Sequence, residues 1–359
     1  MTKKFRTAIS WLRSDNPKST IQKRPCRPKS VALLALLLVF ALCWAVAHAQ
    51  QPGKIFRIGF LDNSTASGSA VLVEAFGQEL TKLGWIEGKN ISIEYRYGEN
   101  KGSERLLELA AELVRLKVDL IVVSATGPTL AAKSATTTIP IVMTRVGDPV
   151  GEGLVASLAR PGGNVTGLST LATELNTKRL EILKDAIPKL ARVGFLRGRE
   201  GGIGAISTDL QLKKLRAAAV VLKLELEVIK TQPNPKGLEN AFQSAKQKQV
   251  NAIMTLTSPS FFGERKRIVE LAGKYRLPAI YFQKEFVDEG GLMSYGADYD
   301  DLFRKSAHYV DKILKGAKPA DLPVQQATKF EFVINLKAAK QIGLTLSPEF
   351  LSRANRVIK

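Results

Sequence analysis

Past residue 49 the 359-residue chain contains no cysteine and one histidine, His308; Cys26, Cys43 and His48 all lie upstream. A chain running from Gln50 onward can form no disulfide and offers no thiolate, whatever the redox state of its compartment. Metal sites built on Cys and His lack their donors. A Ser-His-Asp arrangement would have to use His308, which sits mid-helix in Ser306-Ala307-His308-Tyr309. No dinucleotide fingerprint is present either. Gly201-Gly202-Ile203-Gly204 has the wrong spacing, and no acidic residue closes the following strand. There is no internal repeat and no low-complexity tract. These absences argue against an enzyme and against any cofactor or metal.

Charge of one sign is abundant but misplaced for nucleic-acid work. Lys and Arg number 53 against 33 Asp and Glu, a formal charge of +20. Nine of those basic residues and one acid, Asp15, fall within residues 1–30, which leaves the remainder at +12. That remainder is spread as mixed charge along helices, with only short clusters such as Arg265-Lys266-Arg267. A nucleic-acid footprint needs a concentrated patch or a reading motif, and neither is found.

The basic start belongs to a targeting pattern. An uncharged run, Val31 to Ala47, follows it, and Ala47-His48-Ala49 precedes Gln50. Basic n-region, apolar h-region and small residues at −3 and −1 are the parts of a secretory signal peptide, predicted to span residues 1–49. The alternative is an uncleaved anchor, because the 17 residues from Val31 to Ala47 reach the short end of a membrane span. A start codon downstream of Met1 is a further alternative. Phe40-Ala41-Leu42 lacks the small residue a lipoprotein signal wants before Cys43. The expectation is a cleaved, periplasmic and monomeric mature protein.

From Ile55 the pattern alternates short β-branched runs with longer amphipathic stretches. Strands are predicted at Ile55–Leu61, Ile91–Tyr97, Leu120–Val123, Ile139–Met143 and Val165–Leu168. Further strands follow at Val193–Leu196, Leu224–Ile229, Ala252–Leu256 and Ala279–Phe282, with helices between them. Such alternation implies parallel sheets with right-handed crossovers. The break Arg160-Pro161-Gly162-Gly163-Asn164 divides the chain. The few later elements, including strands Leu292–Tyr295 and Lys329–Ile334, cannot form a third core. The predicted class is therefore α/β, two doubly wound Rossmann-like lobes with about three crossings between them. The expected division is 54–166 plus 288–325 for the first lobe and 167–287 plus 326–359 for the second.

Several stretches carry a resemblance. Ile139-Pro140-Ile141-Val142, Asp148-Pro149-Val150-Gly151 and Leu158 through Gly167 are similar to the ABC-transporter substrate-binding proteins whose best-known members bind tryptophan or tyrosine. Ser294-Tyr295-Gly296-Ala297-Asp298-Tyr299, Ile313 through Pro323, Ala338 to Leu344 and the Leu351–Ile358 tail extend the likeness over nearly all of Ile55 to Ile358. The resemblance implies the type I periplasmic-binding-protein fold with a three-strand hinge and a ligand between the lobes. It also implies a membrane permease and a cytoplasmic ATPase as partners of an importer. A sensory module presenting ligand occupancy to a membrane receptor or kinase is the alternative reading of the same fold.

In open α/β sheets ligands sit beyond the carboxyl ends of strands, where helix N-termini offer free N–H groups. That rule selects Asn63 and Ser64 after the first strand, Ser124, Ala125 and Thr126 after the third, and Asp148 after the fourth. In the second half it selects Arg197, whose guanidinium could hold a carboxylate, with Ser258 and Tyr281. Each has a plainer reading: caps for the hydroxyls, a turn for Asp148, a core ring for Tyr281. The Arg197–Gly202 run departs from the shorter polar loop of the family and leaves specificity open.

Overall fold

The computed structural model describes residues 54–198 and 205–359. The predicted signal segment, both cysteines and the Arg199–Gly202 part of the atypical loop lie outside the described residues.

Ten strands alternate with helices: β1 (Phe56–Asp62), β2 (Ile91–Tyr97), β3 (Leu120–Ser124), β4 (Ile141–Val146), β5 (Val165–Ser169), β6 (Arg192–Arg197), β7 (Glu225–Lys230), β8 (Ala252–Thr255), β9 (Ala279–Tyr281) and β10 (Met293–Ala297). Three more, β11 (Gln325–Gln326), β12 (Phe330–Asn335) and β13 (Arg356–Ile358), come late in the chain. They form two sheets, a six-stranded one in the order β11-β5-β4-β3-β1-β2 and a seven-stranded one in the order β13-β12-β10-β9-β8-β6-β7. Pairing is parallel throughout except between β10 and β12. The predicted two-lobed α/β class is what the chain adopts.

Central strands β3 and β4 are buried at every position, which is why Leu120–Val123 and Ile141–Met143 read as unbroken apolar runs rather than alternations. The helices between strands bury one stripe each. In Ser103–Arg115 the buried residues are Leu106, Leu109, Ala110 and Leu113, at the spacing that keeps one face inward. Gly167 in β5 explains part of the sequence motif. Its φ is +128°, and a Cβ there would lie 2.1 Å from the carbonyl oxygen of Met143, where the β4–β5 register shifts. Only glycine admits that approach.

The chain passes between the sheets three times: after Ser169, after Ala297, and between Gln326 and Phe330. Strand β5 stays in the first sheet to Ser169, past the expected boundary at residue 166, and one whole element departs from the expected division. Strand Met293–Ala297, placed by the sequence reading in the first lobe, is hydrogen-bonded between β9 and β12 in the second sheet. The return to the first lobe starts with helix Tyr299–Leu314, capped by Asp298, whose carboxylate accepts from the Asp301 N–H at 3.1 Å. That helix packs along Ala66–Lys82, and Asp311 accepts from the Trp85 indole at 2.9 Å. A short polar run cannot reveal which of two sheets it joins, because both neighbours are distant in sequence.

Beside the second crossing, Glu285 buries a carboxylate oxygen with no partner. Burial pushes its carboxyl up to about 7, with Asp300 and Asp288 adding to the rise and Lys284 opposing it. The unfolded carboxyl titrates near 4.5, so the folded state holds the extra proton and loses stability as pH rises through that window. Glu285→Gln should therefore raise Tm by several degrees at pH 8 and leave it nearly unchanged at pH 5. Thermal melts at the two pH values check this, and equal shifts at both would show that the folded carboxyl is not held protonated.

Candidate functional site

The loops following β1, β3 and β8 converge between the lobes. They enclose a cavity of about 140 Å³, with Asn63, Ala125 and Thr126 on the first-lobe side and Gln211, Thr257 and Ser258 on the second. This is smaller than the ~300–1,000 Å³ typical of drug-sized ligand pockets, and the reason is direct contact across it. Asn63 Nδ2 donates to Ser260 Oγ at 2.9 Å. A Cβ on Gly68 would lie 3.1 Å from Cα of Gly263, so the first helix of one lobe touches a turn of the other. The lobes are closed on one another.

The first-lobe wall is held from behind by a buried ion pair. Asp62 accepts from the Ser64 N–H at 2.8 Å, from Ser69 Oγ at 2.9 Å and from Arg145 at 3.3 Å. Arg145 Nε donates to Ser124 Oγ at 2.6 Å. Both charged side chains are almost wholly inaccessible, and each has hydrogen bonds besides the other. That satisfaction is what makes a buried pair tolerable. The guanidinium also lies 5.7, 5.5 and 5.8 Å from the ring centroids of Phe262, Tyr299 and Phe303. Phe262 comes from the second lobe, so this cation–π contact spans the interface. Ala125 holds φ at +75°, unusual for a residue with a Cβ, and opens helix Thr126–Ala135 without a side-chain cap. Backbone strain of this kind, on the order of 1–3 kcal/mol, persists where surrounding structure fixes it, and it concentrates at functional sites.

The second-lobe wall is backed by a polar chain. Asn176 Nδ2 donates to Gln211 Oε1 at 2.8 Å, and the Asn176 side-chain oxygen accepts from Arg179 Nη1. Arg179 also donates to Thr257 Oγ1 at 3.2 Å and to the Tyr295 carbonyl at 2.8 Å. Asn176 and Arg179 are fully buried, and burial draws the Arg179 pKa down to about 10.

The predicted residues divide accordingly. Asn63, Ala125, Thr126 and Ser258 line the cavity together. Ser258 also caps helix Pro259–Gly263, its Oγ accepting from the Phe261 N–H at 3.3 Å. Ser64 and Ser124 stand one layer behind, bonded to Ser69 and Arg145. Asp148 and Arg197 are not brought to the cavity. Asp148 accepts from the Gly151 N–H at 2.9 Å within a turn, and Arg197 faces Asp209 at 3.6 Å at the end of β6. Tyr281 is a core ring stacked 4.7 Å from Phe286, and burial pushes its phenol up. His308 lies outside the site, half exposed and 3.3 Å from Glu79. Thr257, a strand-end hydroxyl candidate beside Ser258, also lines the cavity, whereas Gln211, Asn176 and Arg179 were not singled out from sequence. The available signal was Asn176 and Arg179 one turn apart on the face shared by Leu175, Leu180 and Leu183. An uncompensated Asn-Arg pair on an apolar stripe needs a polar reason to be there.

Residues 67–358 match the family model described as ABC transporter substrate binding protein. The chain belongs to this family. A curated relative, the tyrosine-binding protein of Clostridioides difficile, is 28% identical over 271 residues, 76% of each chain. Among solved structures, a conserved domain protein from Vibrio cholerae matches at TM-score 0.75 and 27% identity, covering 85% of this chain and all of that one. An ABC domain from Streptococcus pneumonia solved in complex with L-Trp matches at 0.74 and 25%, with the same coverage. The expected type I periplasmic-binding-protein architecture is thereby shown for this family member.

Because Gly68 and Gly263 meet at the mouth, a larger side chain should wedge the lobes apart. With a stabilising solute present, Gly68→Leu is expected to show a larger radius of gyration in small-angle scattering than wild type. Tm should change little, since each lobe keeps its own core. An unchanged scattering curve would show that the lobes do not close through this contact.

Proposed function

We propose that the protein is the extracytoplasmic receptor of an ABC importer. In this reading it captures a small organic solute between its lobes and passes it to a membrane permease driven by a cytoplasmic ATPase. It acts without turnover of its own, and the predicted presequence supports export to the periplasm with cleavage, the mature protein being expected to work as a monomer. The observation that carries the reading is the interlobe cavity, which draws Asn63 and Thr126 from one lobe and Thr257 and Ser258 from the other. A ligand there gains half its contacts only when the lobes close, so binding and closure are the same equilibrium. A permease can then distinguish loaded from empty receptor by shape.

Membership of the family supports the transport role, and two relatives suggest the ligand class. The C. difficile relative carries the name of tyrosine, and the S. pneumonia neighbour was solved with L-Trp. Aromatic amino acids are therefore the first candidates, and the predicted contacts from Asn63, Ala125, Thr126 and Ser258 would serve them. The size of the closed cavity adds a condition. A ring-bearing solute must hold the lobes further apart than the Asn63–Ser260 contact does.

A thermal-shift screen of amino acids, nucleosides, sugars and aromatic acids, followed by scattering with each hit, tests the proposal. At least one solute should raise Tm by several degrees, bind one to one and shift the population toward the compact form. A solute that stabilises the protein without compacting it, or that is chemically altered on incubation, would count against a receptor.

A further inference from the structure

Two threonines face each other across the cavity, and buried charges polarise them in opposite senses. On the first-lobe wall Thr126 Oγ1 donates its proton to Glu152 Oε2 at 2.7 Å. Glu152 is itself buried. With its proton committed, the Thr126 oxygen can only accept from whatever occupies the cavity. On the second-lobe wall the relation is reversed. Thr257 Oγ1 accepts from Arg179 Nη1 at 3.2 Å, which leaves its hydroxyl proton to be donated. One wall is an acceptor backed by an anion, and the other is a donor backed by a cation.

The cation is the more informative of the two. Arg179 is 1% exposed, and among the described residues no carboxylate lies within ion-pairing distance of it. The ionisable groups it senses are the phenols of Tyr295 and Tyr299, neutral at ordinary pH. Its hydrogen-bond partners are a carbonyl, an amide oxygen and a hydroxyl, all of which a neutral donor could serve. Arg145, by contrast, has Asp62 as counter-ion. A buried guanidinium without an anion is costly, and the open space next to Thr257 is where an anion can reach its field.

Resting on the receptor reading above, we infer that the cleft recognises a zwitterion in a fixed orientation. The ligand's ammonium is held at Thr126 with Glu152 behind it, and its carboxylate at Thr257 with Arg179 behind it. Arg179 is a positioning residue in this scheme: it reaches the ligand through the Thr257 hydroxyl and through its charge. The amino-acid backbone is thus read at the two walls independently of the side chain.

The test compares matched compounds rather than affinity alone. L-Tyrosine, tyrosinamide and 3-(4-hydroxyphenyl)propionate form one set, and L-alanine, alaninamide and propionate a second for a smaller cavity. Calorimetry on the wild type should show the amide and the deaminated acid each binding at least tenfold more weakly than the parent amino acid, an order set by a unit charge at partly screened range. In Arg179→Gln the amide penalty should fall below about threefold while the penalty for the deaminated acid persists, and Arg179→Lys should restore the first. Glu152→Gln should do the opposite. Thr257→Val keeps Arg179 in place and should weaken the amino acid more than its amide, which guards against a misfolded Arg179 variant. Equal wild-type affinity for acid and amide, or an Arg179→Gln protein that keeps the full amide penalty, overturns the inference. If amino acids fail while a sugar or nucleoside closes the lobes, the inference falls and the receptor reading stands. If no solute closes the lobes, the reading itself falls.

Discussion

Asp62 and Arg145 form the interaction around which the interlobe region is built. One carboxylate gathers a backbone N–H, a serine hydroxyl and a guanidinium, and so fixes the turn that leads from β1 into its helix. The guanidinium passes that order to the β3 loop through Ser124, and to the neighbouring lobe through the ring of Phe262. An ion pair sealed in this way contributes less to net stability than a well-packed apolar substitute would. Its value is geometric: four elements from distant parts of the sequence are held in one register.

The two walls solve a common problem by different means. The first lobe neutralises its cation internally and presents strained backbone and a threonine to the cavity. The second lobe buries Arg179 among neutral dipoles and leaves its charge uncancelled. Closure brings these unlike surfaces together, so the interface is electrostatically asymmetric even though both lobes share one architecture. Asn63 shows the same economy. Its nitrogen bridges to Ser260, while its oxygen stays buried without a partner.

Most of the architecture was legible in the sequence because burial on both faces writes strands such as Ile121–Val123 as apolar runs, with helices marked by stripes such as Leu106, Leu109 and Leu113. The carboxyl-end rule also picks out Asn63, Ala125, Thr126 and Ser258, which the structure brings to one cavity, since loop positions follow directly from strand order. The rule does not fix direction. Arg197 and Tyr281 end strands in the second sheet, yet one turns toward Asp209 and the other into the core. It was silent on Asn176, Arg179 and Gln211, which lie on helices and reach the cavity wall sideways. Strand Met293–Ala297 was assigned to the wrong sheet because its partners, β9 and β12, can be identified only from pairing in space.

The helix Tyr299–Leu314 and strand β11 complete a lobe whose other strands end at Ser169. While the chain is being made, the first sheet therefore waits without its last strand and without one of its covering helices. Everything from Ala172 to Ala297 must be synthesised before those pieces exist. The N-terminal lobe cannot fold to completion as a separate unit ahead of the C-terminal one, and most of its late contacts are long-range, the kind that form slowly. Interleaving the chain thus delays commitment to the native state until nearly the whole polypeptide is available, which keeps it extended for longer than two lobes strung end to end would remain.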